Sequence, residues 1–232
     1  MRWVVVMVVV MSALLRPTPV QGEGSVKIGN LEVRDLRGQL PANGEYPTRP
    51  LSLIKRIIVH HTGGAKRDFT AQEIAAYHVN NNGWPGAAYH ALVHWDGSID
   101  YLQDVTRVTW HAGAANSDSI GICLAGDWTD ATPPDVMLDA TRDLVANLQY
   151  ALGQWYTVEG HQDVMDTTCP SRLWPQWRER VTVTQPAPVP TPAEPVTDWK
   201  AMYQELQAKH SDLLAKHERA RLYVVGLTGV LG

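Results

Sequence analysis

The chain has 232 residues with 20 Lys and Arg against 24 Asp and Glu, a formal net charge of −4, and so lacks the basic excess that a nucleic-acid-binding surface needs. Its composition, 44% hydrophobic and 19% charged, suits one folded domain of roughly 100 to 150 residues with a leader and a tail outside it. The nine Trp against one Phe are expected mostly to pack, with some available to line a groove.

Met1-Arg2 opens an apolar run from Trp3 to Leu15, broken only by Ser12. A basic start and a stretch this short fit a secretory signal peptide better than a spanning helix, which needs about twenty residues. Residues 1–22 therefore read as a signal peptide or an uncleaved anchor, and the protein as secreted or held in the cell envelope. Met11 is an alternative start that would remove most of the leader. Residues 23–53 mix Gly, Pro and Arg with short apolar patches, sustain no period, and read as an extended lead-in packed on the main domain.

Ile57-Ile58-Val59 is a β-branched run that delivers His60 and His61 to a loop. Thr70 and Glu73 have capping-box spacing and open a helix through Ile74, Tyr77 and His78 that stops near Asn80-Asn81-Asn82-Gly83. Tyr89, Ala91, Val93 and Trp95 alternate with His90, Leu92 and His94, and Asp96-Gly97 turns the chain towards Ile99 and Tyr101, which predicts a hairpin. A strand follows at Ile120–Leu124. A long helix begins after Thr132, with Pro133 in its first turn, Val136, Ala140, Leu144, Leu148 and Leu152 at helical spacing, and Gly153 as its stop. This order predicts an α/β fold: a central mixed β-sheet flanked by helices, over residues 54–182. Residues 183–196 read as a Pro-rich linker and 197–232 as a helical tail, able to associate with cell wall or membrane but too short in its apolar part to span.

Two stretches carry chemistry: Val59-His60-His61-Thr62 at a strand end, and Gly160-His161-Gln162-Asp163 with Cys169-Pro170 following. Imidazole and thiolate are preferred ligands of Zn²⁺, and a catalytic zinc keeps three protein ligands and an open position. His60, His161 and Cys169 would make such a set, although spacing alone leaves a chance arrangement equally open.

These pieces resemble the type 2 N-acetylmuramoyl-L-alanine amidases, a family that includes T7-type phage lysozymes and the animal peptidoglycan recognition proteins. The resemblance runs from about Ile54 to Trp177. It rests on Ile57-Ile58-Val59-His60, Gly86-Ala87-Ala88-Tyr89-His90, Asp96-Gly97, Asn116-Ser117-Asp118-Ser119-Ile120-Gly121-Ile122 and the His161 and Cys169 segment, all in the family's order. It implies a Zn²⁺ cofactor held by His60, His161 and Cys169, and Tyr89 as the catalytic tyrosine. The implied reaction is hydrolysis of the amide between N-acetylmuramic acid and L-alanine in peptidoglycan, as in endolysins and other wall-degrading hydrolases. One departure stands at Thr167, where T7-type enzymes carry lysine and recognition-type members carry threonine; by that match Thr167 joins Tyr89 in bearing on the oxyanion. The family loop containing His111 edges the substrate cleft, so His111 is expected to bind substrate. Asn116 and Ser119 could touch the peptide stem or simply form the turn.

Other readings stay open. The rival function is a peptidoglycan-binding recognition module that does not hydrolyse, and a purely structural zinc would need a fourth ligand. Cys123 and Cys169 could form a disulfide, but Cys123 reads as a core residue of its strand. His61 is expected to hydrogen-bond near the site rather than take the ligand position. His78 reads as a packed or surface histidine, His90 as core-facing, and Trp84 as fixing a loop.

Overall fold

The β-branched run at residues 57–59 lies near the centre of a mixed sheet. The computed structural model describes residues 24–185 and 203–216. Its strands are β1 (Ser25–Ile28), β2 (Leu31–Asp35), β3 (Arg56–His61), β4 (Ala91–Val93), β5 (Ile99–Tyr101), β6 (Ser119–Leu124) and β7 (Thr157–Gly160). They lie in the order β1-β2-β5-β4-β6-β3-β7. β3 is parallel to both β6 and β7, β4 is parallel to β6, and β4–β5 and β1–β2 are antiparallel hairpins. Buried parallel strands need apolar side chains on both faces, and every residue of β6 is buried.

Alternation along the strands sorts side chains to two sides. Ile57 and Val59 of β3 and Ile120, Ile122 and Leu124 of β6 join one core with Leu138, Leu144 and Leu148 of α2 (Asp135–Leu152) and Trp174 and Trp177 of α3 (Trp174–Val181). Leu92 and Cys123 join a second core with Ala71, Ile74 and Ala75 of α1 (Ala71–Asn82). Helix α1 starts as its sequence predicts: the Thr70 hydroxyl accepts from the Glu73 N–H at 3.2 Å, and the Glu73 carboxylate accepts from the Thr70 N–H at 2.9 Å. It ends at Gly83 in the left-handed region, φ 67°, where glycine carries no Cβ penalty.

The structure differs from the sequence reading in three places. The lead-in contributes an antiparallel β1–β2 hairpin whose β2 pairs in parallel with β5 and extends the sheet; the hairpin turn is Gly29-Asn30, with Gly29 at φ 60°, and each strand has too few alternating residues to stand out. Helix α2 begins at Asp135 with Pro134 as its N-cap, and it buries Met137, Leu138, Thr141, Leu144, Val145 and Leu148 while Val136 stays exposed. β7 and α3, four and eight residues long, have no clear periodic signal. Residues 186–232 form a separate unit in which 203–216 are helical, with Glu205–Lys209 and Asp212–Lys216 pairs at i,i+4. The expected leader, most of the Pro-rich linker and the apolar end of the tail lie outside the described residues. No described helix is long and apolar enough to cross a membrane.

A polar clamp built on buried His94 and Asp100 ties the added hairpin to the rest. His94 Nδ1 lies 2.9 Å from Asp68 Oδ1 and its Nε2 3.1 Å from Asp100 Oδ2, while Arg34 of β2 donates to both Asp100 oxygens at 2.6 and 2.7 Å. Burial alone would lower the His94 pKa, but Asp100 and Asp68 outweigh it and raise the value; burial would raise Asp100, yet His94 and Arg34 bring it below the usual carboxylate range. A raised histidine pKa gives stability that is complete below the unfolded value and is lost as pH rises through the folded one, whereas a depressed carboxylate gives stability lost on acidification. The clamp should therefore contribute most between the ordinary values of 3.8 and 6.5. His94→Gln is expected to cost about 1 to 3 kcal/mol there, with the deficit narrowing towards alkaline pH. Urea unfolding across pH checks this, and a deficit that grew with pH would contradict it.

Candidate metal centre

Strand parity places His60 on the α1 side of β3, the face opposite Ile57 and Val59. Its side chain is buried, with Nδ1 3.7 Å from Cys169 Sγ and Nε2 2.9 Å from His111 Nδ1. The parallel register sets Val59 of β3 opposite Gly160 of β7. His161, the next residue, opens a 3-10 turn over His161–Asp163 and stands with its ring 4.5 Å from that of His60. Gly160 has to be glycine, because a Cβ there would lie 2.7 Å from Trp174 Nε1 and 2.9 Å from Pro170 Cδ.

Cys169 returns to the same point because its loop is closed on itself. The Gln162 N–H donates to the Cys169 carbonyl at 2.7 Å, and Asp163 Oδ2 accepts from Gly160 N–H and Trp174 Nε1–H, each at 2.7 Å. The sulfur accepts from the His61 N–H at 3.4 Å. Ligand atoms of His60, His161 and Cys169 all lie within 4.8 Å of one another. Tetrahedral zinc would set such N and S donors about 3.3 to 3.6 Å apart; the His60–Cys169 pair, at 3.7 Å, is close to that spacing, and the His161 donor lies within 4.8 Å of both.

The electrostatics suit a divalent cation. Burial holds His60 and His111 well below the usual imidazole range and lowers His161, while it pushes the Cys169 thiol up to about 12. Neutral imidazoles keep a lone pair for a metal, and a cation bound to the sulfur favours thiolate. The donor set thus fits Zn²⁺ on its chemistry as well as its spacing. Cys123 and Cys169 are both free thiols.

Tyr89, just before β4, has its ring 5.2 Å from His60 and 5.5 Å from His78; burial raises its hydroxyl pKa well above the phenol range. Thr167 is half-buried in the Cys169 loop, and its hydroxyl accepts from the Cys169 N–H at 3.2 Å. Of the three residues expected at the substrate, two are buried and the third, Asn116, is half-buried. His111 and Ser119 are buried, with His111 Nε2 3.2 Å from Ser119 Oγ, and Asn116 Oδ1 accepts from the His111 and Ala112 N–H groups at 3.0 and 2.6 Å. These hydrogen bonds lie within the site's own frame.

Three further described histidines bond to the fold's backbone. His61 accepts from the Trp128 N–H at 2.9 Å, His78 from Ala88 N–H at 3.1 Å, and His90 from Gly121 N–H at 2.9 Å. Trp84 packs on His78 and Trp110, the latter partly exposed. Sequence reasoning missed Met165, whose sulfur lies 3.1 Å from His161 Nε2; no motif in the chain singles it out.

Comparison with known proteins agrees with this fold. The chain is 30% identical over 130 residues to peptidoglycan-recognition protein SC1a/b of Drosophila simulans, covering 52% of this chain and 70% of that protein. Among solved structures, the Ph2119 endolysin from a Thermus scotoductus bacteriophage is similar with a TM-score of 0.54 and 26% identity, over 65% of this chain and 100% of that one. A Drosophila recognition protein LB mutant in complex with tracheal cytotoxin is similar with a TM-score of 0.54 and 25% identity, over 64% of this chain and 98% of that one. The family model described as N-acetylmuramoyl-L-alanine amidase matches residues 48–172, and the chain belongs to that family.

Proposed function

We propose that this protein is a zinc-dependent N-acetylmuramoyl-L-alanine amidase acting on bacterial peptidoglycan, delivered to the wall as a secreted or envelope protein. The observation that carries the reading is the convergence of His60, His161 and Cys169 within 4.8 Å, beside the Tyr89 ring. A recognition module needs only a groove. It has no use for a buried thiol held against two neutral imidazoles.

In this reading His60 Nδ1, a His161 ring nitrogen and Cys169 Sγ would hold Zn²⁺. When bound, zinc supplies Lewis acidity, polarising an amide carbonyl and making water a usable nucleophile at a pH of about 7. The chain's own residues do the positioning. Tyr89, packed on His60, donates its hydroxyl to the oxyanion that forms at the lactyl carbonyl; the high pKa that burial gives it keeps that proton in place for donation. Thr167 anchors the Cys169 backbone with its oxygen, and its own proton remains to be donated towards the same oxyanion. Similarity to a phage endolysin and to a recognition protein solved with tracheal cytotoxin supports a peptidoglycan substrate.

Two outcomes are expected. Purified peptidoglycan should release stem peptides with a free L-alanine amino terminus; Cys169→Ser and chelator treatment should each abolish release, and zinc should restore the chelated sample. Binding to peptidoglycan without any cleavage by the native protein would favour the recognition module. Tyr89→Phe should retain its zinc yet lose about two to three orders of magnitude in kcat, measured by the same release assay beside metal analysis; a tenfold or smaller loss would remove the tyrosine from the oxyanion's surroundings.

A further inference from the structure

His60 can offer Nδ1 to a metal only in one tautomer, with its proton on Nε2, and nothing in β3 itself enforces that choice. We infer that His111 and Ser119 are positioning residues: with the Ala115 carbonyl they form a buried hydrogen-bond chain that fixes the tautomer and the ring orientation of His60. The inference rests on the metal reading above but makes a claim of its own about proton placement.

The directions follow from the end of the chain. A carbonyl oxygen can only accept, so the single proton of Ser119 Oγ goes to Ala115 O, 2.6 Å away. Ser119 Oγ is then the acceptor for His111 Nε2–H at 3.2 Å. A neutral His111 with its proton on Nε2 has a lone pair on Nδ1, which accepts His60 Nε2–H at 2.9 Å. His60 Nδ1 is thereby left bare, and it is the nitrogen that lies 3.7 Å from Cys169 Sγ. Partners of a ligating imidazole commonly set its tautomer and basicity in this way.

The chain is held rigidly. The His111 ring lies against Gly121 so closely that a Cβ there would sit 2.8 Å from Nδ1 and 2.9 Å from Cγ. Asn116 Oδ1 binds the His111 backbone from one side, and Arg49 donates to the Asn116 and Ser119 carbonyls at 2.5 Å each from behind. These contacts bring His111, Asn116, Ser119 and Gly121 together in one hydrogen-bonded and close-packed group. They also separate two roles. A substrate-contacting His111 would alter KM and leave metal affinity alone, whereas a positioning His111 alters metal affinity itself.

The test is made on the full chain. Long-range ¹⁵N–¹H spectra of the metal-free protein should show His60 and His111 both protonated on Nε2; His111 protonated on Nδ1 would overturn the inference whatever the variants do. Zinc affinity, read by competition with a chromophoric chelator, should fall about 10- to 100-fold in His111→Phe and recover in His111→Asn, whose amide oxygen can accept in place of Nδ1. Ser119→Ala and Gly121→Ala should weaken zinc in the same direction, with thermal unfolding establishing that each variant is folded. A folded His111→Phe protein that binds zinc as tightly as the native chain would overturn the inference. Native protein with the expected tautomers but no zinc binding would overturn the amidase reading and leave the hydrogen-bond chain standing.

Discussion

The site depends on the parallel register of β7 against β3. With Val59 opposite Gly160, the residues that follow each partner, His60 and His161, leave adjacent strands side by side although the chain between them is about a hundred residues long. Parallel strands cannot be joined by a tight turn, so this intervening chain has to cross the sheet, and it does so by supplying β4, β5, β6 and α2. A one-residue slip would turn His60 into the α2 and α3 core and bring an apolar residue to the site. The bulk of Trp174 against Gly160, and the Arg56 bridge to Asp118 and Glu159 at 3.1 and 3.0 Å, work against such a slip.

Given that register, the remaining pieces supply desolvation and support. The Cys169 loop is cross-braced through Asp163 and Gln162, so its sulfur reaches the histidines without an ion pair. Burial keeps the donors neutral, and each bond beyond the ligand atoms runs to a group that is itself fixed: His60 to His111, His111 to Ser119, Thr167 to the Cys169 backbone. A site of this kind carries a small charge in isolation and becomes well matched to a divalent cation. The half-buried tyrosine and the aromatic contacts of His78, Trp84 and Trp110 extend from one side of it towards solvent.

Much of this was legible in the sequence, for physical reasons. The capping box of α1, the β-branched run of β3 and the alternation around β4 are local signals and appear where they were read. The candidate metal residues lay in short, distinctive stretches, His60 in the last two residues of β3, His161 just after Gly160 and Cys169 just before Pro170, and family resemblance supplied their grouping. What could not be read was non-local. The β1–β2 hairpin is too short to show a period, and its pairing with β5 arises only in the sheet. His111 and Ser119 have loop-like surroundings in the sequence, yet in three dimensions Gly121 opens a space beneath the ring that draws it inward to His60. The buried face of α2 differs because a strict four-residue repeat from Val136 drifts around a helix of about 3.6 residues per turn, and the helix starts after Pro134 rather than Pro133.

The most direct test of this account is a crystal structure of the zinc-loaded full chain with anomalous scattering recorded at the zinc edge. The account predicts one peak bound by His60 Nδ1, His161 and Cys169 Sγ at about 2.0 to 2.3 Å, with a position open towards solvent. A peak closed by a fourth protein ligand, bound through His60 Nε2, or absent from this site would contradict it.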